Sequence, residues 1–427
     1  MSTMFAALKV RNYRVYAAGG VVSNTGTWMG RVAQDWVVLT ELTNNSAQAL
    51  GIVTGLQFLP MLLLAPIGGA IGDRFRKRDV MLVTQSVMAL TAVLMGVMVI
   101  GGHMDLWHMY VLAFLQGCAA AIDAPARQAF VSEMVPPKLL TNAVGLNSAS
   151  FHSGRLVGPA VAGLLIAAIG TGPTLLINAA TFVAVLLALL SLRVDDLDLA
   201  PQSKGRGRIA EGFRYVRHRP DIMLIMALAF VHGTFGMNFQ ITNALMATSV
   251  FGRGVEDYGL VGSVMAIGSL AGALLAARQS RPRWRRLLGA MFGFTAATLA
   301  VGLAPTWPIF VVLLIPTGFF ALTVMVTANS MVQLSVESAV RSRVMSLYMA
   351  VFFGGTPLGA PLIGWIGDAY GARWTILIAT VMTGLAVTAA TIYLMRADHL
   401  SIRRGNRLRH PIQLVRGPVE TMPEQAR

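Results

Sequence analysis

The sequence predicts an all-α membrane protein whose twelve transmembrane helices form two pseudo-symmetric halves of six helices each. Hydrophobic residues make up 55% of the 427 positions and charged residues only 12%, which excludes an ordinary soluble domain. Two further observations predict the same fold class. Basic residues collect in alternate loops between long apolar runs, and a glycine-rich segment recurs at the fifth run of each half.

The first half, which we assign to residues 1–192, contains six apolar runs. Each run is long enough to cross ~30 Å of hydrocarbon at about 1.5 Å per residue. The runs cover residues 13–39, 47–71, 80–101, 106–126, 142–169 and 173–192.

A polar linker, residues 193–220, follows the first half and ends in a sequence typical of a short amphipathic helix. Residues 221–395 form the second half, with runs at 221–249, 257–277, 287–304, 307–333, 343–367 and 374–395. Residues 396–427 are a basic tail that either holds anionic lipid headgroups or is disordered.

The distribution of Arg and Lys predicts the topology. The loops that we place inside carry most of the loop Arg and Lys residues, whereas the loops outside carry only Arg253 and Arg373. Because basic loops stay in the cytoplasm, we expect a multi-pass protein of the cell membrane with both termini cytoplasmic. The net charge of +15 is therefore a topology signal, and no nucleic-acid partner is expected.

Other classes of protein are excluded by what the sequence lacks. The lone cysteine, Cys118, offers neither a disulfide nor a cysteine metal site, and no GxxxxGKS loop is present to bind a nucleotide. We therefore expect no enzyme, no metal, no cofactor and no ATP-driven transport by this chain alone.

An internal repeat relates the two halves. The segment GPAVAGLLIAAIG at 158–170 aligns with GAPLIGWIGDAYG at 359–371, so that three glycines coincide. Two similar halves packed face to face with a site near the midplane is the architecture of a secondary transporter. The alternative is a gene duplication in a rigid membrane scaffold.

The loop after the second run carries a recognisable pattern. The segment GAIGDRFRKR at 69–78 resembles the GxxxDRxGRR signature of the major facilitator superfamily, with Arg76 where the family usually has Gly. The matching positions are Gly69, Asp73, Arg74, Lys77 and Arg78. The alternative interpretation is an ordinary charged hairpin that obeys the positive-inside rule.

A second pattern indicates the branch of that superfamily. GRLVGPAVAG at 154–163 resembles the GxxxGPxxGG pattern of the drug and proton antiporters, with Ala162 replacing one Gly. The fourth run departs from the antiporters, since Ala113 stands where they often have Arg. RNYR, GTWMGRVAQDW and DAPARQAF resemble instead the branch of the enterobactin exporter and its secretion-effector relatives.

The fifth run is predicted to pack closely against other helices. Its glycines make a small-residue face, and its proline removes one backbone donor and bends the helix. A buried Arg in this run needs a partner, for which we expect Asp123. The residues predicted to act in packing or gating are Gly154, Arg155, Gly158, Pro159 and Gly163; tight packing alone is the alternative.

The first run contains the candidate proton site. Arg31 and Asp35 are four residues apart, so they share a helix face and can form an ion pair. A proton site needs a carboxylate whose proton affinity responds to desolvation and to a movable cation. We therefore predict that Asp35 binds the proton and that Arg31 competes with it. The alternative is a fixed pair that anchors the helix beside Trp28 and Trp36.

A cluster of charges is expected at the inner ends of the second and fourth runs. Asp123 and Arg127 are four residues apart and can approach the basic turn and Asp73. On the superfamily resemblance we predict that the cluster is a conformational switch that holds one state closed, with a static salt network as the alternative. Its members are Gly69, Asp73, Arg74, Lys77, Arg78, Asp123 and Arg127.

Neutral polar residues among Met and Phe side chains suit a pocket for an amphipathic solute. The candidate substrate-binding residues are Asn24, Gln116, His232, Asn238 and Asn243. The alternative is that this Met and Phe stripe is lipid-facing or part of the core.

The resemblance implies a secondary transporter that exports a small amphipathic organic molecule in exchange for protons. Membrane lipids are expected as further partners, and a monomer is expected, although no residue pattern determines the oligomeric state. Two alternatives stay open: facilitated or proton-coupled import, and a membrane scaffold or sensor without net transport. Transport and its dependence on Asp35 and Asp73 separate the three, because a scaffold tolerates the loss of a titratable carboxylate.

Overall fold

The structure is a computed structural model that describes residues 3–198, 209–277, 283–397, 400–407 and 410–416. Within these ranges, no side chain is described at 3–4, 65–73, 209–212, 277, 338–339, 342 or from 397 onward.

The first half is six long helices that follow a short N-terminal 3₁₀ segment, Thr3–Lys9. Each predicted apolar run forms one helix, because a chain that crosses hydrocarbon must satisfy its backbone hydrogen bonds internally. The helices are α1 (Arg11–Trp36), which continues as a π-helical turn at Val37–Leu42, α2 (Ala47–Arg74), α3 (Lys77–Ile100), α4 (Leu106–Met134), α5 (Pro137–Ile169) and α6 (Thr171–Leu190).

The linker contains a 3₁₀ turn at Val194–Asp196 and the short helix α7 (Ile209–Arg217). Next, a broken helix forms the seventh span: α8 (Pro220–Val231), a π-helical turn at His232–Gly236, α9 (Phe239–Leu245) and a second π-helical turn at Met246–Val250. Five further helices complete the second half: α10 (Val255–Ala277), α11 (Trp284–Gly302), α12 (Trp307–Ser335), α13 (Ser338–Tyr370) and α14 (Trp374–Ala397).

The predicted twelve-helix fold is confirmed. Ten segments in the described part of the chain are long and apolar enough to cross a membrane. The other two spans, α1 and α11, are more polar: α1 contains Arg31 and Asp35, and α11 opens with Arg285 and Arg286.

In the part of the tail that the structure describes, α14 ends at Ala397 and an antiparallel hairpin follows. The hairpin consists of β1 (Leu400–Arg407) and β2 (His410–Arg416), in which Leu400 pairs with Arg416. Sequence reasoning did not predict these strands, because a basic segment without a long apolar run carries no transmembrane signal. The all-α prediction therefore holds for the transmembrane region.

The two ends of the helix bundle are named by the segments that lie there. The linker face is the end that carries the N-terminal segment and the linker. The distal face is the opposite end. The halves approach closely toward the distal face, where α2 begins and α13 ends. A Cβ atom at Gly364 of α13 would lie 2.4 Å from the Ala47 carbonyl oxygen, and one at Gly259 of α10 would lie 2.4 Å from the Pro159 carbonyl oxygen of α5. Only glycine permits backbones this close.

The largest buried cluster spans both halves in the same region. It includes Val32 and Leu50 from the first half and Ile241, Ala360 and Ile363 from the second. The described structure is therefore closed at the distal face.

Candidate functional site

Asp35 lies near the distal end of α1 and joins the two halves. Its side chain is buried, with 1% of the residue exposed. The Tyr258 hydroxyl of α10 donates a hydrogen bond of 2.8 Å to Asp35 Oδ2, and the Tyr258 ring stacks on Trp36 with centroids 6.3 Å apart. A hydrogen bond from a neutral donor to a carboxylate is charge-assisted and stronger than one between two neutral groups.

The expected ion pair between Arg31 and Asp35 is absent. No ion pair within 4.0 Å joins these two side chains, both of which the structure describes. Spacing along one helix placed both groups on a common face, but the tertiary contact with Tyr258 satisfies the carboxylate instead.

Arg31 lies one helical turn from Asp35, toward the linker face, among aromatic rings. Its guanidinium carbon is 5.0 Å from the centroid of Trp28 and 5.1 Å from that of Phe58. Arg155 of α5 lies over the same indole, 5.3 Å from its centroid. Both guanidinium groups are thus held by cation–π contacts in the interior of the first half.

A chain of three glutamines lies beside Arg31. Gln57 Nε2 donates to Gln34 Oε1 at 2.8 Å, and Gln34 Nε2 donates to Gln116 Oε1 at 2.9 Å. Together with Arg31 and Asn178 these side chains line a cavity of about 40 Å³. The volume is enough for a few water molecules beside these polar side chains.

Among the predicted substrate-binding residues, Gln116 lines this cavity. Asn24 of α1 is partly buried and donates to Ser150 Oγ of α5 at 2.9 Å.

The other three residues predicted to bind substrate are all in the seventh span, in the second half. His232, Asn238 and Asn243 are 0%, 3% and 4% exposed. The His232 ring packs edge-on against Phe294 at 4.7 Å, and Asn238 Nδ2 donates to the Thr234 carbonyl oxygen within the break of the seventh span. These contacts place them in the packed interior, and their role in binding stays a prediction.

The glycines of α5 allow close contacts on two sides. Cβ atoms at Gly154 and Gly158 would lie 2.7 Å from the Asn24 carbonyl carbon and 2.6 Å from Trp28 Cβ, both in α1. A Cβ atom at Gly163 would lie 3.0 Å from the Val255 carbonyl oxygen of α10. Pro159 contacts the same helix, so α5 joins α1 to the opposite half.

The charge cluster at the linker face is partly described. Asp123 of α4 is 4% exposed and forms an ion pair of 2.9 Å with Arg127. Thr84 and Gln85 of α3 donate to its other oxygen at 2.7 and 2.9 Å. Both carboxylate oxygens of Asp123 therefore have partners other than Arg155, and the expectation that Asp123 pairs with Arg155 is wrong.

The basic turn makes contacts that sequence reasoning missed. Lys77 forms an ion pair with Glu133 of α4, a buried carboxylate that was not among the predicted residues. Arg78 donates to the Leu189 carbonyl oxygen near the end of α6 at 2.8 Å, and Arg74 lies over the Phe75 ring at 5.8 Å. Gly69 and the Asp73 side chain lie outside the described side chains, so the predicted approach of Arg127 to Asp73 stays a prediction.

A further contact between the halves involves Asp368, near the distal end of α13. Its carboxylate accepts hydrogen bonds from Ser46 Oγ at 2.9 Å, just before α2, and from the first two residues of α2, Ala47 N at 2.7 Å and Gln48 N at 3.0 Å. Asp368 is thus an N-cap supplied by the opposite half. The internal repeat offered a sequence signal for this residue, because the second half has a carboxylate, Asp368, at the position where the first half has Ala167.

Among the residues that the structure describes, no group of three or more His, Cys, Asp or Glu side chains is placed to hold a metal ion.

Solved structures support the fold. A bacterial homologue of the human lysosomal transporter Spinster, in an inward-facing and unoccupied conformation, superimposes with a TM-score of 0.71 at 16% identity, covering 90% of this chain and 98% of its own. This likeness concerns the fold alone.

Sequence comparison gives the family. The multidrug efflux pump Tap of Mycolicibacterium fortuitum is 28% identical over 90% of this chain and 95% of its own length. The staphyloferrin A transporter of Staphylococcus aureus (strain NCTC 8325 / PS 47) is 27% identical over 89% and 96%. The family model described as transmembrane secretion effector matches residues 2–422. With its twelve-helix fold and its superfamily signature, the chain belongs to the transmembrane secretion effector family, a branch of the major facilitator superfamily of membrane transporters.

Proposed function

We propose that this protein exports a small amphipathic organic molecule, drug-like or siderophore-like, in exchange for protons by alternating access. The family supports a transporter, and the relatives named as a multidrug efflux pump and a staphyloferrin A transporter support a small organic substrate. The linker face is the cytoplasmic side, because the basic loops lie there. The transporting unit is residues 1–192 and 221–395, joined by the linker 193–220 and followed by the basic tail 396–427.

The observation that carries the proton step is the hydrogen bond between Tyr258 and Asp35 across the halves. In this proposal, when the distal face is closed, the hydrogen bond from the Tyr258 hydroxyl favours the ionised form of Asp35 more than burial favours the neutral form. Opening the distal face separates the halves and removes this preference. Asp35 then takes a proton from outside, and closure releases the proton toward the cytoplasm.

The charge cluster serves as the conformational switch in this proposal. Asp123, Arg127, Lys77 and Glu133 connect α3 and α4 at the linker face. Both salt bridges lie within the first half, so in this proposal the cluster acts as a switch through partners that it gains or loses when the halves move. Gly69, Asp73, Arg74 and Arg78 complete the predicted switch.

Solute-coupled proton movement tests the proposal. Purified protein is sealed into vesicles with an imposed proton gradient, and the internal pH is followed while dyes, macrolides and siderophores are added. We expect one solute to cause proton movement opposite to its own, and Asp35→Asn to abolish the coupling. Asp257→Asn is the matched control, since Asp257 is a distal carboxylate whose partner, Arg253 at 3.7 Å, lies in its own half.

The other outcomes distinguish the alternatives. Proton and solute moving in the same direction would establish proton-coupled import, and solute flux without protons would establish a facilitator. No flux of any solute would leave a scaffold or sensor. Retention of full coupling by Asp35→Asn would refute the assigned role of Asp35.

A further inference from the structure

Two arginines from different helices converge on one aromatic ring inside the first half. Arg31 of α1 and Arg155 of α5 lie 5.0 and 5.3 Å from the Trp28 ring centroid. Gly158 makes this possible, because a side chain there would meet Trp28 Cβ at 2.6 Å. The three residues, which we call the arginine–tryptophan cluster, are near the middle of their helices and therefore near the midplane.

Neither guanidinium group has a described carboxylate within 4.0 Å, although Asp35, one helical turn from Arg31, attracts that guanidinium electrostatically. Among the described residues, Arg31 and Arg155 make no ion pair or side-chain hydrogen bond, and the two cations are close enough to repel each other. Both residues are partly buried. A cation inside a membrane protein is costly without a partner, and such residues commonly line substrate pathways. Cation–π contacts offset only part of this cost.

The surroundings specify the rest of the ligand. Phe58 lies 5.1 Å from the Arg31 guanidinium, and Phe151 packs edge-on against Trp28 at 5.8 Å. Guanidinium groups bind carboxylates in a bidentate manner, whereas aromatic side chains bind planar apolar groups. The cluster therefore suits an anionic group attached to an aromatic body.

The cluster also adjoins the contact between the halves. Leu156, next to Arg155, accepts a hydrogen bond of 2.6 Å from Ser263 Oγ of α10 through its carbonyl oxygen. A ligand beside Arg155 thus lies where the halves meet, which is where a transported solute must bind to influence both conformations.

We propose that Arg31, Arg155 and Trp28 form a binding subsite for the anionic group of an amphipathic aromatic anion. This inference rests on the proposed function, in that the anion is the transported solute. It goes further by naming the charge of the solute and the side chains that recognise it.

Equilibrium binding tests the subsite without requiring transport or a proton gradient. The full-length protein in lipid nanodiscs is titrated by calorimetry with pyrenebutyrate and with its neutral analogue pyrenebutyramide, and empty nanodiscs supply the blank. The two probes share an aromatic body and differ in charge. We expect wild-type protein to bind the carboxylate ~10-fold or more tightly than the amide, as removal of a charge-assisted hydrogen bond implies.

Variants assign that preference to the cluster. Arg31→Gln and Arg155→Gln should each weaken pyrenebutyrate binding ~10-fold while leaving pyrenebutyramide binding within about twofold. Arg31→Lys should retain part of the preference because it keeps the charge. Arg253→Gln is the matched control, since Arg253 also lies over a tryptophan, Trp307 at 5.5 Å, but has Asp257 as its partner.

Several results would overturn the inference. Wild-type protein that binds neither probe, or binds both equally, has no anion subsite, and this comparison needs no variant to fold. An equal loss of affinity for both probes in the Arg→Gln variants would indicate that the two arginines have only a packing role. Charge-selective binding combined with absent proton exchange in vesicles would refute the antiport proposal and leave the subsite intact.

Discussion

Asp368→Ala should open the distal face. In the described conformation the Asp368 carboxylate of α13 accepts three hydrogen bonds from the N-terminus of α2, which belongs to the other half. Rocking the halves apart must break these bonds. Asp368 therefore stabilises the distal-closed state relative to the distal-open state, and alanine removes that difference.

The size of the effect follows from the contacts. Replacing an N-cap Asp by Ala costs about 0.5–2 kcal/mol, and a negative charge at a helix N-terminus contributes roughly 0.3–1 kcal/mol. Asp368 is solvent-exposed, so the electrostatic part is reduced by screening. We expect a shift of ~1.4 kcal/mol, which is about tenfold in the ratio of open to closed molecules.

Pulsed electron paramagnetic resonance measures this ratio. Spin labels at His103 and Leu303, both exposed at the distal face, report the separation of the halves after Cys118→Ser removes the native thiol. The ratio of long-distance to short-distance molecules should rise about tenfold in Asp368→Ala. Asp105→Ala is the matched control, because Asp105 is an N-cap residue at the same face that precedes α4 in its own half.

An unchanged distance distribution in Asp368→Ala would refute the reasoning. So would an equal shift in the Asp105→Ala control, because that would trace the effect to helix capping in general and not to the contact between the halves.

Two stability predictions concern the helix contacts. Lys77→Met should lower the melting temperature in detergent, because it leaves the buried Glu133 carboxylate without its partner; the expected loss of folding free energy is about 3 kcal/mol. Adding Glu133→Leu should recover most of that loss. A double variant as unstable as the single variant would contradict this prediction. Gly268→Ala should destabilise the fold by roughly 1–3 kcal/mol, since the added Cβ atom would lie 1.9 Å from the Ile315 carbonyl oxygen. The control is Gly289→Ala, whose Cβ atom would meet nothing within 4 Å. This variant should be neutral or slightly stabilising in the same melting assay.

Sequence reasoning predicted the helices well because the determinant is local. A run of some twenty apolar residues forms a membrane helix whatever it packs against, and loop charge fixes the number of crossings. The break in the seventh span was missed because the run from 221 to 249 is apolar enough on average to predict one continuous span. Gly233, Gly236 and Asn238 were the local signal that the helix would be interrupted.

Partners of charged groups were harder to predict. The i to i+4 rule relates residues on one helix, and Asp123 and Arg127 form such a pair, although the partners expected for them were the basic turn and Asp73. It failed for Asp35, whose partner Tyr258 is 223 residues away and is brought near by the packing of the halves. No spacing rule contains that information, since it depends on how two separate helices meet.

The two proposals constrain each other through electrostatics. An anion beside Trp28 lies about two helical turns, or ~10 Å, from Asp35, and at an effective dielectric constant of about 20 it favours protonated Asp35 by roughly 1.7 kcal/mol. Taken alone, this mutual stabilisation of anion binding and Asp35 protonation would produce cotransport of the anion and the proton. The Tyr258 hydroxyl opposes it, because a hydrogen bond to a charged group contributes about 1.5–3 kcal/mol to the ionised form.

Exchange therefore requires that the Tyr258 bond outweigh both the anion and the burial of the Asp35 carboxylate in the distal-closed state. We expect pyrenebutyrate binding to take up no proton in wild-type protein near neutral pH, measured with a pH indicator in weak buffer. Tyr258→Phe retains the stacking on Trp36 but removes the donor, so the same titration should then take up a proton. Proton uptake by the wild type would mean that the anion dominates, and the chain would then have the linkage of a proton-coupled importer, not an exporter.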